Sequence, residues 1–339
     1  MSYYYEQGPI RPPSEARSLL IRLTRNCPWN KCAFCRVYKR QKFSRRSVEE
    51  ILADVDRAAE IHGDSFKSCF LQDGSSIVLP ADKLVQIFGR IKEKFQGIDR
   101  ITTYARAKDV LKKSADDLKR LAEAGLSRIH IGMESGCDSV LNFVDKGATA
   151  AEMIEAGKRV VQSGISLSEY ILLGLGGKKW TEEHALESAR VINAINPAFI
   201  RMRTLRIQEH TPLFEKAAAG EFERLTDSEI IEEERLFAAN LDGIQAQVVS
   251  DHSLNLLMEI EGRLPDEKKK LLAILDRFIS MDARDRELFS LGRRMGALGG
   301  MDDYSPDAKR HLESAAAELK ARGYKTVDDA VYDLMGMMM

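Results

Sequence analysis

Leu19-Leu20-Ile21-Arg22-Leu23-Thr24-Arg25-Asn26-Cys27-Pro28-Trp29-Asn30-Lys31-Cys32-Ala33-Phe34-Cys35 is the stretch on which the reading turns. It opens on a short apolar run, and three cysteines then fall within nine residues. A strand that empties into a loop crowded with thiols suits an α/β protein whose chemistry sits at the C-terminal ends of its strands. Outward from this point the pattern repeats. Residues 19–23, 68–71, 98–104, 128–133, 166–173 and 199–204 read as strands. Residues 48–61, 81–95, 115–124, 150–163 and 182–195 read as the helices between them. Gly97, Gly125 and Gly164 each follow a helical stretch and suit C-terminal caps. Six such units predict an α/β protein with a partial (β/α)6 TIM-like barrel, an open doubly wound sheet being the alternative. The expected organisation is an N-terminal lead-in over 1–17, the barrel over 18–245 and a helical C-terminal extension over 246–339. That extension carries helices at 264–281, 283–298 and 308–322, and its tail, 335–339, reads as frayed.

Composition narrows the function classes. The 339 residues are 44% hydrophobic, enough to bury a core without disulfides. With 51 Lys+Arg against 52 Asp+Glu the net charge is −1, which excludes a basic nucleic-acid coat or a polybasic membrane binder. No apolar run reaches the roughly 18 residues of a membrane span, and the first residues lack a secretory pattern. The expected compartment is the cytoplasm, where thiols stay reduced. Five cysteines, an odd number, argue against a disulfide framework.

Three readings of the triplet compete. Cys27, Cys32 and Cys35 can grip three corners of a [4Fe-4S] cluster and leave one iron open. Cys-x4-Cys-x2-Cys is also a plant-type ferredoxin spacing, with Cys69 downstream as a fourth ligand. That second reading makes the chain a non-catalytic iron–sulfur electron carrier or sensor. Zinc would need a fourth ligand or water, and the nearest histidine is His62.

The triplet, with Phe34 just before its last cysteine, resembles the cluster loop of the radical S-adenosylmethionine (SAM) superfamily, whose usual spacing is one residue shorter between the first two cysteines. Phe70-Leu71-Gln72-Asp73-Gly74 is similar to that family's glycine-rich segment after the second strand. Ile129-His130-Ile131-Gly132-Met133-Glu134-Ser135-Gly136, with Lys146-Gly147 beyond, resembles the fourth-strand signature of one branch. That branch holds oxygen-independent coproporphyrinogen oxidase, methylthiotransferases and the elongator catalytic subunit. Leu172-Leu173-Gly174-Leu175-Gly176-Gly177 is similar to that branch's Gly-Leu-Pro-Gly turn. Later segments resemble an uncharacterised subgroup labelled by analogy with the oxidase.

The resemblance implies two cofactors, a [4Fe-4S] cluster on Cys27, Cys32 and Cys35 and SAM on its open iron. One electron would pass to the sulfonium, and the resulting 5′-deoxyadenosyl radical would take hydrogen from substrate. It implies SAM contacts at Asp73 and Gly74 (amine), Glu134 (amine or ribose), Lys146 (carboxylate), Tyr170 (ribose), Phe34 (adenine) and the turn Gly174-Leu175. A low-potential electron donor such as flavodoxin or ferredoxin is the implied protein partner. The absence of a second cysteine cluster argues against the methylthiotransferases.

Catalytic candidates are Cys137, as a hydrogen donor, and His252, where a substrate lid would sit. Arg201 and Arg203 lie two apart on a strand and share a face. With Tyr104, Arg106 and His252 they are the candidates for binding a small anionic substrate. Arg36, Lys39, Arg40, Lys42, Arg45 and Arg46 form a basic run with Tyr38 and Phe43 interleaved. The neutral overall charge disfavours a nucleic-acid partner for it.

Overall fold

All six expected strands form. In the computed structural model, which describes residues 5–39 and 41–338, the strands in chain order are β1 (Leu19–Arg22), β2 (Thr24–Arg25), β3 (Ser44–Arg45), β4 (Ser68–Gln72), β5 (Arg100–Ala105), β6 (Leu126–Glu134), β7 (Ser166–Leu173), β8 (Phe199–Thr204), β9 (Gln247–Val249) and β10 (Gly262–Arg263). The main sheet runs β1-β4-β5-β6-β7-β8-β9-β10, and β2 pairs only with β3. β1, β4, β5 and β6 pair in parallel, with Leu19 opposite Cys69 and Ile101 opposite Leu126. Such strictly sequential order is the winding of a partial (β/α)6 TIM-like barrel. A doubly wound sheet would reverse its order at a switch point.

The helices start where local chemistry dictates. Ser47 and Glu50 form a capping box on Val48–His62, as do Ser114 and Asp117 on Ala115–Ala124, and Thr149 and Glu152 on Ala150–Gln162. Gly125 ends its helix at φ +114°, a conformation that only glycine adopts readily.

Two compact units divide the chain. The first comprises Met1–Met133, Leu141–Tyr170 and Ala194–Ala198, and the second Glu134–Val140, Ile171–Asn193 and Phe199–Met339. The first packs around Ile21, Ile51, Phe70, Phe88, Ile101 and Ile129, all essentially without solvent contact. The second packs around Leu175, Ile200, Phe237, Leu275, Phe278 and Phe289.

Three expectations need correction. The strand signal does not stop at 245: β9 pairs parallel to β8, and β10 pairs antiparallel to β9. The helices Pro212–Ala218 and Asp227–Ala239 follow β8 where none was expected. The tail is not frayed through Met335, because Val327–Met337 is a helix started by a Thr326–Asp329 capping box and held by buried Ala330, Val331 and Met335. Met339 lies outside the described residues. The other C-terminal helices, Lys268–Ile279, Ala283–Arg294 and Pro306–Ala321, fall within a few residues of their expected bounds.

Candidate functional site

In the first unit the chain leaves β1, runs through β2 into the cysteine loop and returns through β3, which pairs with β2. Asn26 (φ +74°) and Asn30 (φ +52°) take left-handed turns that asparagine tolerates. Their amides tie the loop to itself, Asn26 Nδ2 donating to the Lys42 carbonyl (2.7 Å) and Asn30 Nδ2 to that of Tyr38 (2.6 Å). The Ala33 N–H donates to the Val144 carbonyl at 2.7 Å. Cys27, Cys32 and Cys35 are half-exposed. Gly74 packs against the first of them, where a Cβ would stand 2.8 Å from Cys27 Cβ and 3.2 Å from its sulfur. A side chain there would push Cys27 aside, so the glycine shapes the thiol's cradle. Three accessible soft donors on one short loop suit an iron–sulfur centre. Among the described residues no three His, Cys, Asp or Glu side chains are gathered at the spacing of a single metal ion.

Cys69 is placed otherwise. It pairs with the first residue of β1, whereas the loop follows the last, and the two strand ends are separated by roughly 10 Å at ~3.3 Å per residue. It has no solvent contact, and burial pushes its thiol far above the ordinary range. The electron-carrier alternative, which needs Cys69 as a ligand, is not favoured.

Around the loop the sequence candidates fall into order. Lys146 lies between two left-handed residues, Asp145 (φ +50°) and Gly147 (φ +72°), and its Nζ stands 5.8 Å from the centre of the Phe34 ring. The Trp29 indole N–H donates to the Asp145 carbonyl at 2.7 Å, and its ring lies where any Gly147 side chain would be. The Arg106 guanidinium stacks on the same indole at 5.2 Å. Asp73 is wholly buried at φ +83° and is gripped by Arg22 at 2.5 Å. Burial pushes its carboxyl up, and Arg22 offsets only part of that rise. Its carboxylate therefore holds the turn that presents Gly74. Tyr104 and Tyr170 belong to one row of rings through His130, with centroids 5.9 and 6.0 Å from the histidine. His130 was quoted in the sequence motif without a role. Tyr38, read as a stacking surface, is buried, and Arg40 of the basic run lies outside the described residues.

In the second unit Glu134 adopts φ +68°, costly for a residue with an unbranched acidic side chain and typical of functional backbone. Gly174 turns at φ +81°, and its N–H donates to Glu233 Oε1 at 2.6 Å. His184 Nδ1 lies 2.8 Å from Ser135 Oγ, which accepts the N–H of buried Cys137 at 3.0 Å. Glu233 and His184 were not visible as site residues in the sequence.

Arg201 is ion-paired with Asp251 at 2.7 Å. Burial, then the charge of Arg203, pulls the neighbouring His252 down to about 4, with Asp251 opposing. His252 is thus neutral at physiological pH, and its Nδ1 accepts the Leu254 N–H at 3.3 Å, leaving the hydrogen on Nε2. Thr204, Asn255 and Ser250 form a buried chain beside them.

Sequential α/β winding with a three-cysteine loop after β1 defines a class of barrel-type enzymes, and comparison with known families specifies which. A family profile for the radical SAM superfamily matches residues 21–192, just over half of the chain. The chain belongs to that superfamily and is an enzyme of the radical SAM class. Membership implies a [4Fe-4S] cluster and SAM. The chain is 23% identical over 163 residues to an uncharacterised protein of Methanocaldococcus jannaschii, covering 48% of this chain and 50% of that one. It is 26% identical over 199 residues to a tRNA-2-methylthio-N(6)-dimethylallyladenosine synthase of Hahella chejuensis, covering 54% and 42%. It thus spans half or less of these relatives' lengths. Among solved structures, methylornithine synthase aligns with a TM-score of 0.48 at 18% identity, covering 93% of this chain and 84% of that one. No helix among the described residues is long and apolar enough to cross a membrane.

Proposed function

We propose that this chain cleaves SAM reductively at a [4Fe-4S] cluster held by Cys27, Cys32 and Cys35, and takes a hydrogen atom from a small anionic substrate. The bound cluster would supply one electron to the sulfonium, splitting SAM into methionine and a 5′-deoxyadenosyl radical. The observation that supports this reading is the cysteine loop itself, with three half-exposed thiols, the first of them packed on Gly74. Lys146, a cation beside the Phe34 ring, would neutralise the SAM carboxylate, and Phe34 would face adenine. Asp73 acts through backbone, since Arg22 occupies its carboxylate and Gly74 is left to approach the amine. Glu134 and the Gly174-Leu175 turn would meet the amine or ribose, with Tyr170 at the ribose position.

In the second unit Arg203 would meet an anionic substrate, with Arg201 held by Asp251, and neutral His252 supplies a hydrogen-bond donor beside Arg203 without adding charge. Cys137 is the candidate hydrogen donor to a substrate radical. A low-potential donor protein would supply the electron, and the loop's cations give it a landing surface. Lys31, Arg36, Lys42 and Arg45 are exposed and form no ion pair among the described residues, whereas Arg22, Arg25 and Arg46 are all paired to carboxylates. A reduced, cytoplasmic setting suits this chemistry.

The test is anaerobic reconstitution with iron and sulfide, followed by dithionite and SAM and an assay for 5′-deoxyadenosine. Wild-type protein should form it and Cys32→Ala should not. Equal product from both would remove the cluster loop from the reaction.

A further inference from the structure

We infer that Glu233 is a positioning residue for SAM, joined through His184 and Ser135 in a buried relay that fixes the Gly174 turn and the Glu134 segment together. The inference rests on the proposed SAM contacts of those two segments and adds Glu233 and His184, which none of the quoted motifs contains. Glu233 lies outside the region matched by the family profile.

Glu233 Oε1 accepts the Gly174 N–H at 2.6 Å, and Oε2 accepts the Thr181 hydroxyl at 2.7 Å. His184, three residues after Thr181 on the same helix, brings Nε2 to 3.6 Å from Glu233 Oε1, beyond hydrogen-bond length. Its Nδ1 meets Ser135 Oγ at 2.8 Å. Ser135 Oγ also accepts the Cys137 N–H at 3.0 Å, so one hydroxyl joins the imidazole to the backbone that follows Glu134. One turn further along the helix, Ser188 Oγ accepts the Gly136 N–H at 2.8 Å. Glu134 is therefore followed by two residues clamped to the Thr181–Ile195 helix, and that helix shares Glu233 with the Gly174 turn.

Simple packing does not call for this arrangement. Ser135, His184, Ser188 and Glu233 are all at most 3% exposed. A buried carboxylate costs far more than an apolar side chain of the same size unless its oxygens are satisfied. Burial does push the Glu233 carboxyl up, with His184, the Gly174 N–H and Thr181 opposing. What the carboxylate provides, and a leucine would not, is an acceptor for the amide of a left-handed glycine that otherwise has many conformations. Pinning that amide removes freedom that SAM would otherwise have to remove on binding.

The test compares Glu233→Ala, Glu233→Gln and Ser135→Ala with wild type, all reconstituted anaerobically. SAM affinity is read by titration calorimetry, with iron content and melting temperature as controls. Glu233→Ala should weaken SAM about tenfold, or about 1.4 kcal/mol, with iron content unchanged. KM for SAM should rise, and kcat at saturating SAM should hold within about threefold. Glu233→Gln, whose amide keeps a carbonyl for Gly174, should recover most of the loss. Wild-type affinity in folded Glu233→Ala overturns the relay. If that variant does not fold, Ser135→Ala decides: about threefold weaker binding is expected, and unchanged affinity overturns the inference. Wild type that binds no SAM condemns the proposed function and the relay together. Wild type that binds SAM with all variants unaffected condemns the relay alone.

Discussion

The cysteine loop and the Gly174 turn are stabilised in opposite ways. The loop is tied by asparagine amides to its own carbonyls, leaves its thiols half-exposed and carries Lys31, Arg36, Lys42 and Arg45, which form no ion pair among the described residues. The turn is locked by side chains that solvent hardly reaches and that bond to one another and to backbone. Ligand binding can supply rigidity to a loop whose thiolates close on a metal centre, since binding energy there is also ordering energy. A turn that meets a ligand through backbone alone gains little from it and must be ordered beforehand.

The largest expected effect falls on the loop. Replacing Cys27, Cys32 or Cys35 with alanine should abolish cluster iron and sulfide, while thermal unfolding of the cluster-free protein should barely move because those thiols bury little. Cys69→Ala should keep the full cluster. Iron analysis showing loss in Cys69→Ala would return the carrier reading.

The turn's side should answer with stability instead. A Gly136→Ala side chain would run into the backbone carbonyl of Glu187, which cannot swing away. Unfolding free energy should fall by about 1–3 kcal/mol, read from the denaturant midpoint. A neutral result would mean that the Glu134 segment is looser than its hydrogen bonds imply.

Much of this contrast was legible before any coordinates. The first six strands of the main sheet followed from apolar runs at regular intervals, and the candidate contacts could be named from the motifs that resemble the family. What stayed hidden is what holds those ends. Gly174 and Glu233 are 59 residues apart, and Arg22 and Asp73 51 apart, so no local pattern joins them. Glu232-Glu233-Glu234 are three consecutive acids within the helix Asp227–Ala239. Glu233 and Glu234 are both 3% exposed. Tyr38 misled: its aromatic ring among cations suggested a surface platform, but it is buried.

Two smaller effects sharpen the comparison. Reversing Arg36 and Lys42 to glutamate should slow reduction by an acidic flavodoxin about tenfold at low ionic strength. The difference should shrink with added salt, and dithionite-driven reduction should stay unchanged. Stopped-flow rates that ignore the reversal would exclude this face as the landing surface. Glu234 gives a pH signature. Burial, then Glu233 and Glu259, pushes its carboxyl from an ordinary 4.5 up to about 8. Between those values the unfolded chain ionises Glu234 and the folded chain does not, so stability falls as pH rises and levels off above about 8. Glu234→Gln should therefore gain on wild type from pH 5 to pH 8 in urea midpoint. Parallel pH profiles would place Glu234 nearer to water.

The central claim is that the protein leaves one iron of the cluster for SAM. Electron paramagnetic resonance of the reduced, reconstituted protein tests it most directly. Adding SAM should change the cluster signal, and the change should be lost in Lys146→Ala at the same SAM concentration. A well-formed [4Fe-4S] signal that is indifferent to saturating SAM would contradict the account.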